Sequence, residues 1–397
     1  MRRSLLVLLL FAGACLPLTA HGLATAGGGW NRLGTNGAKA PGSALNGHVT
    51  ALHSAKGALY VGGSFTNAGG IAAADRIAKW NGAKWSALGK TPLGTGAVFA
   101  IATHAGKVYA GGNFVNAGGK AAADYLAVFD GVSWKPFCNT TEQPAFKGGL
   151  QVLALQVVGS TLYVGGTFQN ANADARADYL IACDLATGTP SVTVDKDGDF
   201  SGAIYALTAT TDGTLYAGGT FTNLDGVATA DGVASYKGSW QGLGTAPIGG
   251  IVRGLHAKGM EVYVSSDGLN IGGIAQADHL VKWNGAAYSA VGANGAGTNG
   301  YFPATSYINA LMTSSSLLFA AGSWQNADGK PTGDVVASFN GSRWQPVGSN
   351  GAGGGPWVGE TQELAVLGAR LYAGGAFTKA GGDAKANFAA SRSLRLP

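Results

Sequence analysis

Leu59-Tyr60-Val61-Gly62-Gly63-Ser64-Phe65-Thr66-Asn67-Ala68-Gly69-Gly70 decides how this chain is read. A short apolar run ends on a glycine pair, and a glycine-rich loop follows. The core of the stretch returns as Tyr109-Ala110-Gly111-Gly112, Tyr163-Val164-Gly165-Gly166, Tyr216-Ala217-Gly218-Gly219 and Tyr372-Ala373-Gly374-Gly375, with weaker copies at Tyr263 and Phe319. Successive aromatics are 49, 54, 53, 47, 56 and 53 residues apart. A unit of this length that divides into four short strands predicts an all-β, seven-bladed β-propeller.

Working outward, Val49 to His53 reads as strand a of a blade, Leu59 to Phe65 as b, Ile77 to Trp80 as c and Trp85 to Gly89 as d. Asn81-Gly82 between c and d is a hairpin signal, repeated at Asp130-Gly131, Asn284-Gly285 and Asn340-Gly341. Such a pair suits a two-residue turn in which both residues take positive φ. The loop from b to c keeps one length throughout. Asn67, Asn116, Asn170, Asn223, Asn270, Asn326 and, as the exception, Lys379 stand seven residues after the aromatic. Asp75, Asp124, Asp178, Asp231, Asp278, Asp334 and Asn387 stand fifteen after it. A side-chain acceptor at this position in every blade, a carboxylate in six of them, is expected to accept loop amides rather than to form a site. The seventh repeat lacks a final strand, while Trp30-Asn31-Arg32-Leu33-Gly34 stands alone ahead of the first. The N-terminal strand is therefore expected to complete the last blade and hide its edge.

Composition agrees with an all-β class. Glycine fills 67 of 397 positions, and charged residues are 12%, about half the usual share. Arg2-Arg3, the apolar Leu5 to Phe11 and Leu18-Thr19-Ala20 read as a signal peptide over residues 1–22, leaving one propeller over 23–397. Cys15 sits in a loose lipoprotein-type box, a less favoured reading. The protein is expected to be secreted, periplasmic or at the cell surface, without a transmembrane segment. The net charge of +5 falls to +3 without Arg2 and Arg3, and no basic cluster marks a nucleic-acid partner. Cys138 and Cys183 remain in the mature chain. Cys183 takes the place of a core aromatic, which favours a buried thiol, and the sequence leaves open whether the two pair.

Candidate chemistry is sparse. Asp195, Asp197 and Asp199 resemble the start of a calcium loop, but the twelfth-position glutamate is missing, and a solvated turn is preferred. The histidines show no metal-ligand spacing. Glutamate occurs four times, at 142, 261, 360 and 363. Three of these lie in or beside blade-connecting loops and keep an enzyme reading open. Trp30, Trp85, Trp134, Trp240 and Trp344 are in register and read as core. Phe146, Tyr301, Phe302, Tyr307 and Trp357 are out of register, in long d–a connections, and are the candidate ligand-binding residues. The competing expectation is that these rings fold back to cap the central channel. The d–a and b–c loops share one face of an up-and-down blade, so binding is expected there.

The glycine pair, the aromatic of strand c and the tryptophan opening d resemble a kelch-type repeat. The variant here, Val61 to Gly70 with Ala78-Lys79-Trp80-Asn81-Gly82 and Trp85-Ser86-Ala87-Leu88-Gly89, resembles repeats of the fungal cortical polarity-marker family and of secreted bacterial propellers. The resemblance covers roughly residues 30–397. It implies a secreted or cell-surface, non-catalytic interaction module with a protein or glycan partner and no cofactor. A carbohydrate-active hydrolase or lyase is the alternative. Copper oxidases share the kelch-type fold, but their Tyr–Cys crosslink and histidine pair have no counterparts here.

Overall fold

The computed structural model describes residues 29–38, 42–139, 145–146, 151–191, 194, 200–245 and 248–394. Residues 1–22, read above as a signal peptide, and the acidic run at 195–199 lie outside them. Seven four-stranded antiparallel sheets form seven blades. In blade 1 the strands are Val49–Ala55, Ala58–Gly63, Ile77–Trp80 and Trp85–Ser86. Strand a of each blade packs against strand a of the next, and blade 7 returns to blade 1, so the ring is closed. Blade 7 is assembled from Val358–Leu367, Arg370–Thr378, Ala389–Ser393 and the N-terminal Asn31–Arg32. Asn31 pairs with Ser391 and Arg32 with Ala390, as the missing strand required. Arg32 also meets Asp383 at 3.1 Å.

The glycine pair has two separate steric causes. A Cβ on Gly62 would stand 2.6 Å from Val98 of the next blade, whereas one on Gly63 would collide with the His48 carbonyl of its own blade. The first glycine thus sets blade-to-blade packing and the second sets a–b packing within the blade. The b–c loop carries a short 3₁₀ turn in each blade, entered from a left-handed residue such as Asn67 (φ 52°). Asn tolerates that conformation better than most side chains, and Lys379 is the one exception. The Asn67 amide donates to Asp75 Oδ1 at 2.7 Å. The same bond recurs from Asn116 to Asp124 (2.6 Å), through four further blades, to Lys379 and Asn387 (3.0 Å). The aspartate ring is a set of loop clasps.

In five blades a d-strand tryptophan latches the blade to the one before it. Trp85 Nε1 donates to the Leu33 carbonyl at 2.6 Å, Trp134 to Leu88 at 3.2 Å and Trp240 to Val194 at 2.7 Å. Trp344 donates to Val291 at 2.6 Å and Trp30 to Val347 at 3.0 Å. Two expectations are corrected. Cys138 and Cys183 form a disulfide, with Cα atoms 5.6 Å apart, rather than holding a buried thiol. It joins blades 2 and 3, and the d strand of blade 3, Pro190–Ser191, carries no tryptophan. The c–d connections are also not two-residue turns. Trp80 faces Trp85 in the ladder, so four residues lie between them. Gly82 alone takes positive φ (96°), and Asn81 Oδ1 accepts the Ala83 and Lys84 amides. An Asx turn satisfies amides that a shorter hairpin would have paired.

Candidate functional site

Each strand a begins at the loop-bearing face with the same four-residue plan. The first residue is buried against the preceding blade: Val49, Val98, Val152, Ile204, Val252, Ile308 and Thr361. The ladder shifts register across the second residue in all seven blades, which marks a β-bulge. Bulges re-aim side chains, and here the bulged residue is the one that varies: Thr50, Phe99, Leu153, Tyr205, Arg253, Asn309 and Gln362. Five of these, from Phe99 to Asn309, line a cavity of about 160 Å³ at the channel mouth. The third residue is small in blades 1–6 and is Glu363 in blade 7; the fourth is Leu or Ile.

The polar side of the mouth is tightly bonded. Arg253 grips Asp267 in a two-point ion pair, Nε–Oδ1 2.6 Å and Nη2–Oδ2 2.9 Å, which holds the guanidinium pKa above its ordinary value. The guanidinium carbon also lies 4.7 Å from the centre of the Tyr307 ring. Asn309 Nδ2 donates to Glu360 Oε1 at 2.7 Å and to the Thr361 carbonyl at 3.0 Å. Glu363 accepts the Leu364 amide at 3.1 Å. Burial among aliphatic neighbours pushes its carboxyl up to about 8. The apolar side exposes Tyr205 and, beside Arg253, Tyr307. Val358 opens a hairpin longer than that of the other blades and is 83% exposed. On the opposite face the exposed large apolar side chains are Val132 in a c–d turn and Met260 in an a–b turn.

Four of the five ring candidates lie inside the fold. Phe146 packs on Phe168 at 4.6 Å. Trp357 stacks on Phe377 at 4.3 Å and meets Trp30 edge-on. Tyr301 and Phe302 both pack on Trp344. All four are buried between or within blades, so the long connections plug the fold with these rings. Tyr301 and Phe302 also form one wall of a 440 Å³ pocket whose rim includes Asn270, Asn294, Asn299 and Asn326. Burial and the nearby Asp328 push the Tyr301 hydroxyl up to about 12. Tyr307 is the one candidate at the surface, and it joins the channel mouth. Asp195, Asp197 and Asp199 lie outside the described residues. His53 and His256, both on strand a, hydrogen-bond to Thr103 and Thr313, and burial lowers both, His256 to about 4.

Sequence reasoning missed Tyr205, Arg253 and Asn309; it placed Glu360 and Glu363 in or beside a blade-connecting loop, and both are on strand a of blade 7. The signal was available: the seven strand a segments align without gaps, and the second and third positions break the pattern.

No protein-family model matches the chain, and no curated protein matches it. Among solved structures it is similar to YCF48 from Cyanidioschyzon merolae, with a TM-score of 0.50, 8% identity and coverage of 88% of this chain and 96% of that one. It is also similar to YCF48 bound to D1 peptide, with a TM-score of 0.52, 9% identity and coverage of 89% and 96%. A computationally designed protein, Ika8, aligns at 14% identity with a TM-score of 0.47 over 89% and 97% of the two chains. At these identities the likeness to the two YCF48 structures shows the fold alone: a propeller, an architecture that hosts many functions.

Proposed function

We propose that this chain is an exported, non-catalytic binding module that seats a protein or peptide segment over the channel mouth of blades 4–7. One observation carries the reading. The strand a segments share one plan except at the bulged position, which runs from Phe99 and Leu153 to Tyr205, Arg253 and Asn309 around the mouth, with Tyr205 and Tyr307 exposed there and Val358 exposed at the start of the long blade 7 hairpin. Aromatic and apolar groups beside an ordered Arg–Asp pair are what a specific interface uses. The signal-like residues 1–22 and a disulfide both suit an oxidising compartment. The resemblance to kelch-type and polarity-marker repeats points the same way. YCF48, alike in fold only, has been seen with a peptide bound. The test is a peptide-display selection against the mature protein and against a Tyr205→Ala/Tyr307→Ala/Val358→Asp variant. Peptides should enrich on the parent and lose at least about tenfold in affinity on the variant. Equal binding would move the site elsewhere.

A carbohydrate-active enzyme is the second reading, favoured by Glu363, whose raised carboxyl shares a strand with Glu360. A glycan array run beside a hydrolase and lyase screen tests it, and turnover lost in Glu363→Gln would establish it. Calcium at Asp195, Asp197 and Asp199 is a separate expectation, tested by calorimetric titration of the mature chain.

A further inference from the structure

Glu363 breaks a rule that the other blades keep. It pairs with Gly374 in the same register in which Ala51 pairs with Gly62, Ala100 with Gly111, Ala154 with Gly165, Ala206 with Gly218, Gly254 with Ser265 and Ala310 with Ala321. The carboxyl therefore stands in a tier of methyl groups. The next tier lining the cavity is Leu52, Ile101, Leu155, Leu207, Leu255 and Leu311. Alanine at position 363 would complete the ring at no steric cost, so the carboxylate is not there for packing. The cavity of about 160 Å³ has room for roughly five waters. That suits an unbranched chain and is narrow for a sugar ring with its hydroxyls.

Charge at the mouth favours a cation. Arg253 is engaged by Asp267, and Glu360 is held by a neutral amide. With Glu363 ionised, three carboxylates face one guanidinium, in a chain whose overall charge is +5.

We infer that the channel receives a slender primary alkylammonium group, its ammonium on the Glu363 carboxylate and its methylenes against the aliphatic tier. This rests on the mouth being a binding site, and names the group a ligand sends into it. A carboxylate set among apolar side chains is costly, and in the empty channel this pushes the Glu363 carboxyl up to about 8. An arriving ammonium offsets that cost, and the carboxyl proton leaves to solvent. A divalent cation would need several more oxygens than this tier supplies.

Binding then strengthens as pH rises. Other titratable groups at the mouth are Glu360, Asp267, Arg253, Tyr205 and Tyr307. On the strands packed against Glu363 they are His53, Tyr60, Arg370 and Tyr372. Burial lowers His53 and raises Tyr60 and Tyr372, away from the window in which Glu363 titrates.

The test is ligand-observed NMR titration of the mature protein with n-butylamine, spermidine and a blocked Gly-Lys-Gly peptide, with n-butanol as the uncharged control. The expected butylamine affinity is on the order of millimolar and about twentyfold tighter at pH 8.5 than at pH 6.5, as the ionised fraction of Glu363 grows. Butanol should not compete. Glu363→Ala, which matches five other blades, should fold and lose both the binding and its pH dependence. Amine binding that is flat with pH in the parent, or unchanged in Glu363→Ala, overturns the inference. Spermidine binding without the peptide assigns the site to free polyamines; the reverse assigns it to a lysine side chain. Displayed peptides that need Tyr205 and Tyr307 but ignore Glu363→Ala would leave the mouth reading standing and remove this one. Amine binding through Glu363 with no peptide selected would do the opposite.

Discussion

The junction between blades 1 and 2 and the junction between blades 2 and 3 bridge the same gap by different means. In the first, the Trp134 indole reaches back 3.2 Å to the Leu88 carbonyl. In the second, Pro190 stands opposite Cys183 in the ladder as Trp134 stands opposite Phe129. Proline has no side-chain donor. Cys138 follows Phe137, the counterpart of Leu88, and is bonded to Cys183. A covalent link thus replaces the hydrogen bond at the junction whose d strand has proline, Pro190, at the tryptophan position. A propeller must hold seven equivalent seams, and it is only as closed as its weakest one. A hydrogen bond contributes about 1 kcal/mol, while a disulfide acts mainly by restricting the unfolded chain.

The N-terminal strand is the strongest test of this picture, because it serves two seams. Trp30 latches blade 7 to the Val347 carbonyl of blade 6, and Leu33 offers the carbonyl that Trp85 of blade 1 binds. Both side chains are buried. Deleting residues 29–34 should cost more than about 5 kcal/mol and expose Ala389–Ser393 as an edge that self-associates. Thermal unfolding and light scattering would show this. A monomer that melts like the parent would mean that the ring does not depend on its seams.

The disulfide comes next. Cys138→Ser/Cys183→Ser should lose about 2–4 kcal/mol in denaturant unfolding. Trp134→Phe, which keeps an aromatic ring and removes one N–H, should lose about 1–2 kcal/mol by leaving the Leu88 carbonyl unpaired. If the two losses are equal, the bridge is no stronger a seam than the indole it replaces.

What the sequence discloses follows the same division. Features that recur are legible, because seven copies average out local accident: the glycine pair, the Asn–Asp clasp and the closing strand at Trp30 all read correctly. Features that occur once have no such support. The Cys138–Cys183 bridge depends on two strands 45 residues apart coming within 5.6 Å, and spacing alone does not report that. The out-of-register rings were the natural candidates for a ligand. Yet Phe146, Tyr301, Phe302 and Trp357 fill space that the repeat leaves open between blades, since burying a large ring stabilises more than exposing it. The mouth residues were hidden because Arg253 or Asn309 in a short apolar strand reads as noise until the bulge shows which way it points.

The clasps can be graded by the blade that departs from them. Asp124 accepts the Asn116 amide at 2.6 Å, whereas blade 7 uses Asn387 for the same bond. Asp124→Ala should cost roughly 1–3 kcal/mol by leaving that amide unpaired. Asp124→Asn should cost less than about 1 kcal/mol, since a neutral acceptor already serves in blade 7. Chemical denaturation of both variants checks the order, and equal losses would show that the charge, rather than the acceptor, is needed.

The smallest expected effect lies at the seam between blades 4 and 5, which among the described residues has neither an indole latch nor a bridge. Tyr288 takes the tryptophan position, opposite Trp283 in the ladder and 5.0 Å from it, ring centre to ring centre. Its hydroxyl is buried without a hydrogen-bond partner, and burial raises its pKa. Leu243 is the counterpart of the carbonyl residues Leu33 and Leu88. An unpaired buried hydroxyl costs free energy that its removal returns. Tyr288→Phe should therefore be neutral or stabilising by up to about 1 kcal/mol, unlike Trp134→Phe, which takes away a bonded donor. Tyr288→Trp should place an N–H toward the Leu243 carbonyl and stabilise by about 1 kcal/mol if the wider ring fits beside Gly244, which already lies close to the tyrosine. Melting temperatures of the two variants against the parent decide it. A Tyr288→Phe that loses as much as Trp134→Phe would mean that the hydroxyl is bonded in solution and that this seam has a latch of its own.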